Sequence, residues 1–288
     1  MKHPFLKKPD WIKIKFSEKD INKVKKIKSI IKKNKLHSVC EEASCPNIIE
    51  CFSKKQVTFI ILGNICTRNC LYCNVINGRP LIIDNNEALN LANTIYKMKL
   101  KYVVITSVNR DDLHDGGAKQ FSTCIKLIRK KNPNIKIEIL VPDFKNCIHK
   151  ALKIIKKTLP DVFNHNIETV ERLFKIIRPS GNYQKSLILL NQFKKNFPNI
   201  ITKSGLMLGF GETNEELFNT LHDLKFNGVD IITIGQYLQP TKKHIAVKKY
   251  ISTLEFNEIR KKAINMGFKT VVCGPFVRSS YNAQDYFC

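Results

Sequence analysis

The sequence predicts an α/β fold of consecutive strand–helix units: a parallel barrel, complete or partial, or an open doubly wound sheet. Short apolar runs at 57–62, 102–106, 135–141, 162–167, 200–208, 229–234 and 270–273 alternate with helical periodicity at 87–98, 118–131, 147–157, 168–177, 183–197, 214–227 and 254–266. Strands that alternate with such helices form βαβ units on a parallel sheet. No Pro-, Gly- or Ser-rich linker and no sequence repeat divides them. A doubly wound nucleotide fold wants a Gly-rich fingerprint after its first strand; cysteines stand there instead, which favours the barrel.

Local chemistry marks the element ends. Thr213 with Glu216 three residues on forms a capping box, in which side chain and backbone satisfy each other's amides. Ser252 or Thr253 before Leu254, with Glu255 in the first turn, starts the last helix. Gly228 and Gly267 end the last two helices. Residues 1–35 read as a basic, partly helical extension, where Ile27, Ile30 and Ile31 recur at helical spacing beside Lys25, Lys28 and Lys32. The expected organisation is an N-terminal extension at 1–56, a barrel at 57–270 and a C-terminal segment at 271–288.

The 288 residues include 49 Lys and Arg against 24 Asp and Glu, a formal net charge of +25. A strongly basic chain suits a polyanion such as nucleic acid. The simpler reading is compositional: 41 of these residues are Lys and 8 are Arg, the lysines are dispersed, and Ile and Asn are also abundant, as A/T-rich codons produce. No run approaches the ~20 apolar residues of a membrane helix. Residues 1–11 are broken by Pro4 and Pro9 and lack the apolar stretch of a secretory signal. The expected compartment is the cytoplasm, without membrane attachment. Thiols stay reduced there, so ten cysteines point to metal binding or catalysis rather than to disulfides.

The first strand runs into Gly63-Asn64-Ile65-Cys66-Thr67-Arg68-Asn69-Cys70-Leu71-Tyr72-Cys73, a C-x3-C-x2-C spacing. Thiolates in so short a run wrap one corner of an iron–sulfur cluster and leave a fourth iron open to an outside ligand. A structural zinc site, closed by four ligands, and three unrelated buried cysteines are the other readings. Upstream, Cys40, Cys45 and Cys51 stand at C-x4-C-x5-C, again three thiols short of a fourth ligand. Cys124, Cys147, Cys273 and Cys288 have no partner spacing and read as structural.

The C-x3-C-x2-C motif at the end of a first barrel strand resembles the signature of radical S-adenosylmethionine (SAM) enzymes. The resemblance implies that Cys66, Cys70 and Cys73 bind a [4Fe-4S] cluster, with SAM chelating the open iron. One electron then cleaves the sulfonium and releases a 5′-deoxyadenosyl radical. Tyr72 is implied to lie beside the adenine.

Two cysteine triplets in this order resemble lipoyl synthases. Matching segments include 61–68, Asn77-Gly78-Arg79-Pro80, 106–113, Asp115-Gly116-Gly117, 165–170, 203–209, 235–240 and 273–281, so the resemblance runs along nearly the whole chain from about residue 36. It implies a partial (β/α)6-type TIM barrel with N- and C-terminal extensions that carry an auxiliary iron–sulfur cluster. That second [4Fe-4S] cluster would be held by Cys40, Cys45, Cys51 and a serine of Arg278-Ser279-Ser280-Tyr281, assigned to Ser280 with Ser279 as the alternative. The cluster is implied to be the sulfur source for C6 and C8 of a lysine-bound octanoyl group. The implied partners are octanoylated lipoyl carrier domains (2-oxoacid dehydrogenase E2 subunits and the glycine cleavage H protein) and an electron donor such as flavodoxin or ferredoxin, with no nucleic acid.

Ser107 and Asn109 after the second strand, and Asn166 and Glu168 after the fourth, stand where they would contact the methionine and ribose parts of SAM; loop capping is their other reading. Arg178 suits a carboxylate, either of the cofactor or of a nearby Glu. Two rivals remain: a biotin-synthase-like or methylthiotransferase radical enzyme, and a basic zinc module for nucleic acid.

Overall fold

The structure is a computed structural model that describes residues 6–12 and 17–286; the readings placed on Pro4 and Cys288 lie outside the described residues. The chain divides into two compact units, one of residues 15–68, 75–164 and 282–288, the other of 1–14, 69–74 and 165–281.

The first unit runs α1 (Glu18–Lys33), β1 (His37–Ser38), α2 (Val39–Glu42), α3 (Ile48–Ser53), β2 (Thr58–Ile61), α4 (Glu87–Met98), β3 (Tyr102–Ser107), α5 (Ala118–Lys131), β4 (Lys136–Leu140), α6 (Ile148–Ile155) and β5 (Val162–Asn164). Strands β2 to β5 pair in parallel in chain order, Thr58 against Val104, Tyr102 against Lys136 and Glu138 against Val162. The short β1 adds antiparallel to β2, His37 against Ile60. On α1, Val24, Ile27 and Ile31 are buried while the lysines between them face solvent, as the periodicity predicts. Helices α4 and α5 pack on each other, and their Leu91, Ile95, Phe121 and Ile125 are fully buried. Truncating any one to Ala costs roughly 2–5 kcal/mol.

The second unit runs α7 (Glu171–Ile177), α8 (Tyr183–Asn196), β6 (Ile201–Leu208), α9 (Asn214–Phe226), β7 (Ile231–Gln236), α10 (Thr253–Asn265) and β8 (Thr270–Gly274). Its three strands are parallel, Lys203 against Ile231 and Ile231 against Thr270. Leu190, Leu221, Leu224, Ile232, Ile234 and Ala263 form its core. Thr213 and Ser252 both make the full capping box, with Glu216 and Glu255. Along the chain, β2 to α10 form six strand–helix units and β8 follows them.

Most element ends lie within two residues of expectation, and two differ by three. The strand at 162–167 ends at Asn164, and the helix at 168–177 starts at Glu171. Glu168 takes the left-handed φ of +70°. Its N–H donates to Gly205 O and its carbonyl accepts from Met207 N, so the segment between the two elements is spent on pairing with β6. Around Cys40 and Cys51, where the sequence shows little periodicity, α2 and α3 are too short to reveal a 3.6-residue pattern.

Candidate active site

In the first unit, β2 delivers the start of the cysteine loop. The amides of Leu62 and Gly63 donate to the buried Glu87 carboxylate at 3.0 and 3.2 Å. Cys66 N donates to Ile76 O at 2.8 Å and Gly78 N to Cys66 O at 2.9 Å, so the chain pairs with itself across the loop. Thr67 N and Thr67 Oγ1 both donate to Asn109 O, at 3.1 and 3.0 Å. Arg68, its side chain 2% exposed, grips two carboxylates: Nε and Nη2 meet Asp111 at 2.6 and 2.7 Å, and Nη1 and Nη2 meet Asp143 at 2.7 Å each. Arg68 is therefore a loop clamp. Its acceptors lie 43 and 75 residues away, which no sequence pattern signals.

Ser107 ends β3 and Asn109 follows it. Ser107 Oγ and Asn109 Oδ1 are buried with no hydrogen-bond partner, a costly condition that a bound polar ligand relieves. Asn109 Nδ2 and Asn109 N point at Cys66 Sγ, at 3.7 and 3.4 Å.

The same unit holds Cys40 on α2, Cys45 in the turn after it and Cys51 on α3. Cys45 N donates to Cys40 O at 3.0 Å and Ser38 caps α2, which fixes this short bend. Burial pushes the Cys40 thiol up to about 12, with Cys45 the next cause. Cys51 is pushed up to about 12 as well, by burial and then by Cys40 and Cys45. The three sulfurs thus sit within electrostatic reach of one another, and iron that binds them relieves their mutual repulsion.

In the second unit, the loop continues through Cys70, Tyr72 and Cys73. Leu71 N donates to Ile177 O at 3.0 Å and Ile245 N to Leu71 O at 3.1 Å. His244 hydrogen-bonds through Nε2 to Cys73 O at 3.0 Å and through Nδ1 to Thr241 Oγ1 at 2.9 Å. Sequence reading gave His244 no role, since its contact is a carbonyl 171 residues away. Tyr72 packs against a cluster that includes Val170, Leu173, Phe210 and Tyr237. Burial, then Glu168, raises its hydroxyl well above the ordinary tyrosine value. Glu168 is raised chiefly by burial, against Arg178, and accepts from Asn166 and Tyr72. Arg178, which acts electrostatically on Glu168, also donates through Nη1 to Asn166 O at 3.0 Å.

The C-terminal motif closes onto this group. A Cβ on Gly235 would lie 2.0 Å from Val277 O, so only glycine admits the segment against β7. Tyr281 N donates to Arg278 O at 3.0 Å, and Ser279 Oγ donates to Asn166 Oδ1 at 2.9 Å. Ser280 is half-buried in that turn. The first unit thus gathers the upstream triplet, and separately Cys66, Ser107 and Asn109. The second gathers Cys70, Tyr72, Cys73, Asn166, Glu168 and Arg178. Of the other cysteines, Cys124 is core, Cys147 caps α6, and Cys273 donates its thiol to Phe256 O at 3.3 Å.

A model of the radical SAM superfamily matches residues 60–224. Curated relatives from Photorhabdus laumondii and Haemophilus influenzae, each named lipoyl synthase, are 56% and 58% identical over 279 residues, 97% of this chain and 87% of theirs. A third, from Wigglesworthia glossinidia brevipalpis, is 55% identical over 280 residues, 97% of this chain and 88% of its own. The chain belongs to the lipoyl synthase family of radical SAM enzymes.

Solved structures agree at the level of fold. Streptococcus suis SuiB bound to S-adenosylmethionine matches at TM-score 0.59 with 11% identity, over 91% of this chain and 67% of that one. Methylornithine synthase matches at 0.55 with 14% identity, over 75% and 70%. The fold class is the α/β partial barrel expected from the sequence. Lipoyl synthase family membership sets aside the zinc-module and biotin-synthase-like readings, and makes SAM and two [4Fe-4S] clusters the cofactors.

The residues fit these groups. The upstream thiols lie within electrostatic reach of one another, and buried Ser107 Oγ and Asn109 Oδ1 await a polar ligand. Among the described residues no three His, Cys, Asp or Glu side chains form a group suited to one metal ion. Cluster thiolates each bind a different iron and do not converge on a point.

Proposed function

We propose that this chain inserts two sulfur atoms, at C6 and C8 of an octanoyl group carried on a lysine of a lipoyl carrier domain, with the cluster at Cys40, Cys45 and Cys51 as the sulfur source. The observation that carries the reading is the mutual electrostatic reach of these three thiols in a chain that shares 55–58% identity with curated lipoyl synthases.

When bound, the clusters and SAM supply the radical and the sulfur. Unactivated C–H bonds offer no acidic proton, so the side chains bind, orient and exclude water. Cys66, Cys70 and Cys73 hold the first cluster, and Thr67, Arg68 and His244 fix the backbone that presents them. Tyr72 lies beside the adenine, and Glu168 accepts from the ribose hydroxyls with Arg178 balancing its charge. Ser107, Asn109 and Asn166 complete the polar lining. Ser280 is the fourth ligand of the auxiliary cluster: Ser279 spends its hydroxyl on Asn166. An alkoxide is poorly matched to iron–sulfur, which suits a cluster that is dismantled.

The carriers are 2-oxoacid dehydrogenase E2 subunits and the glycine cleavage H protein, and flavodoxin or ferredoxin supplies electrons. The compartment is the cytoplasm; among the described residues no helix is long and apolar enough to cross a membrane. Cys66→Ala abolishes SAM cleavage, whereas Cys45→Ala keeps cleavage and loses sulfur insertion. Lipoyl product from Cys45→Ala refutes the sulfur-source assignment.

A further inference from the structure

Cys66 is buried, and its sulfur faces three N–H groups: Arg68 N and Asn109 N at 3.4 Å each, and Asn109 Nδ2 at 3.7 Å. Two of the three come from one residue, and that residue is held in place independently of the sulfur. Asn109 O accepts from Thr67 N and Thr67 Oγ1, and Thr67 Oγ1 accepts from Asp111 N at 3.2 Å. Asp111 in turn is bound by Arg68. The cysteine loop and the loop after β3 are thereby bolted together on both sides of the Asn109–Cys66 contact.

A donor aimed at a cluster thiolate draws charge from it and favours the more negative, reduced cluster, so the potential rises with hydrogen bonds to sulfur. We propose that Asn109 tunes the reduction potential of the cluster bound by Cys66: the Nδ2–H···Sγ contact raises that potential and eases one-electron reduction. One electron passes from an external low-potential donor to the cluster; no bond of Asn109 forms or breaks. In this role Asn109 acts through Cys66, by its Nδ2, as a positioning residue; its Oδ1 is the atom left to the polar lining. The proposal rests on the function above only for the presence of the cluster.

The test is a redox titration of reconstituted holoenzyme followed by electron paramagnetic resonance, with SAM added to identify the cluster at Cys66. The auxiliary cluster serves as internal reference. Asn109→Leu removes the donor at similar volume, and Asn109→Asp removes it and adds negative charge. Both variants are expected to keep wild-type iron content and an unchanged auxiliary midpoint. The cluster at Cys66 shifts to lower potential, by up to tenfold in its oxidised-to-reduced ratio at fixed potential, about 59 mV for one electron. The Asp variant shifts further than the Leu variant. An unmoved midpoint, an upward shift, equal movement of both clusters, or loss of iron from both variants overturns the proposal. Product formation by the wild-type holoenzyme, assayed in parallel, separates the two claims: the expected shift in the variants together with no lipoyl product from the wild type faults the proposed function and leaves the tuning role standing.

Discussion

Ser279 donates its hydroxyl to Asn166 Oδ1 at 2.9 Å. That bond ties the C-terminal Arg-Ser-Ser-Tyr motif to the residue that also hydrogen-bonds Glu168. It gives the two adjacent serines different work. Ser279→Ala loses one neutral hydrogen bond, about 1 kcal/mol of stability, and keeps sulfur insertion at reduced rate. Ser280→Ala retains formation of 5′-deoxyadenosine and loses the sulfur-containing product. Quantifying both products for each variant checks the assignment, and the reverse pattern exchanges the roles.

Arg68 holds two carboxylates with a side chain that is 2% exposed. Arg68→Met leaves Asp143, itself 5% exposed, as a buried charge without its guanidinium. Removing one partner of a buried pair costs about 3–5 kcal/mol, measurable as a lower denaturation midpoint. Asp111 is 29% exposed, so Asp111→Asn costs less than Asp143→Asn.

Much of this was legible in the sequence because local chemistry dictates it. The helices Glu87–Met98 and Ala118–Lys131 start and stop where their apolar periodicity does. The capping box at Thr213 follows from residue types three apart; at the last helix the sequence leaves Ser252 and Thr253 open, and Ser252 makes the cap. The spacing of the two triplets reads as metal binding, and the resemblance adds the cofactor. What stayed hidden depends on long-range pairing. Glu168 abandons both strand and helix because β6, far along the chain, offers it backbone partners. Arg68 stands in the sequence simply as part of the cysteine loop; its acceptors come from the loops after β3 and β4. The sequence suggests Asn109 as a SAM contact and holds no sign that its amide nitrogen faces Cys66.

Gly235 admits the segment that bears Ser280. Its added Cβ would stand 2.0 Å from Val277 O, a backbone atom with no side chain to swing away. Gly235→Ala therefore displaces residues 277–280 and reproduces the Ser280→Ala pattern, SAM cleavage without sulfur insertion. Wild-type sulfur insertion in Gly235→Ala contradicts this.

Glu216 caps α9 and pairs with Arg172, whose hydrogen bond is the leading cause that lowers its carboxyl from 4.5 to about 2. A carboxylate depressed on folding contributes stability above its unfolded value, and that contribution is lost as pH falls through the folded one. The loss falls between pH 4.5 and about 2. Glu216→Gln flattens the stability–pH curve over that window, read by denaturation at a series of pH values. An unchanged slope removes Glu216 from the acid response.

The most direct measurement is anaerobic incubation of the reconstituted chain with an octanoyl-lysyl peptide, SAM and a reductant, followed by mass spectrometry. The account predicts a peptide in which two sulfur atoms replace hydrogens at C6 and C8, with sulfur isotope from the chain's own labelled auxiliary cluster in the product. A peptide recovered unchanged while 5′-deoxyadenosine accumulates, or product sulfur that lacks the cluster's isotope, contradicts it.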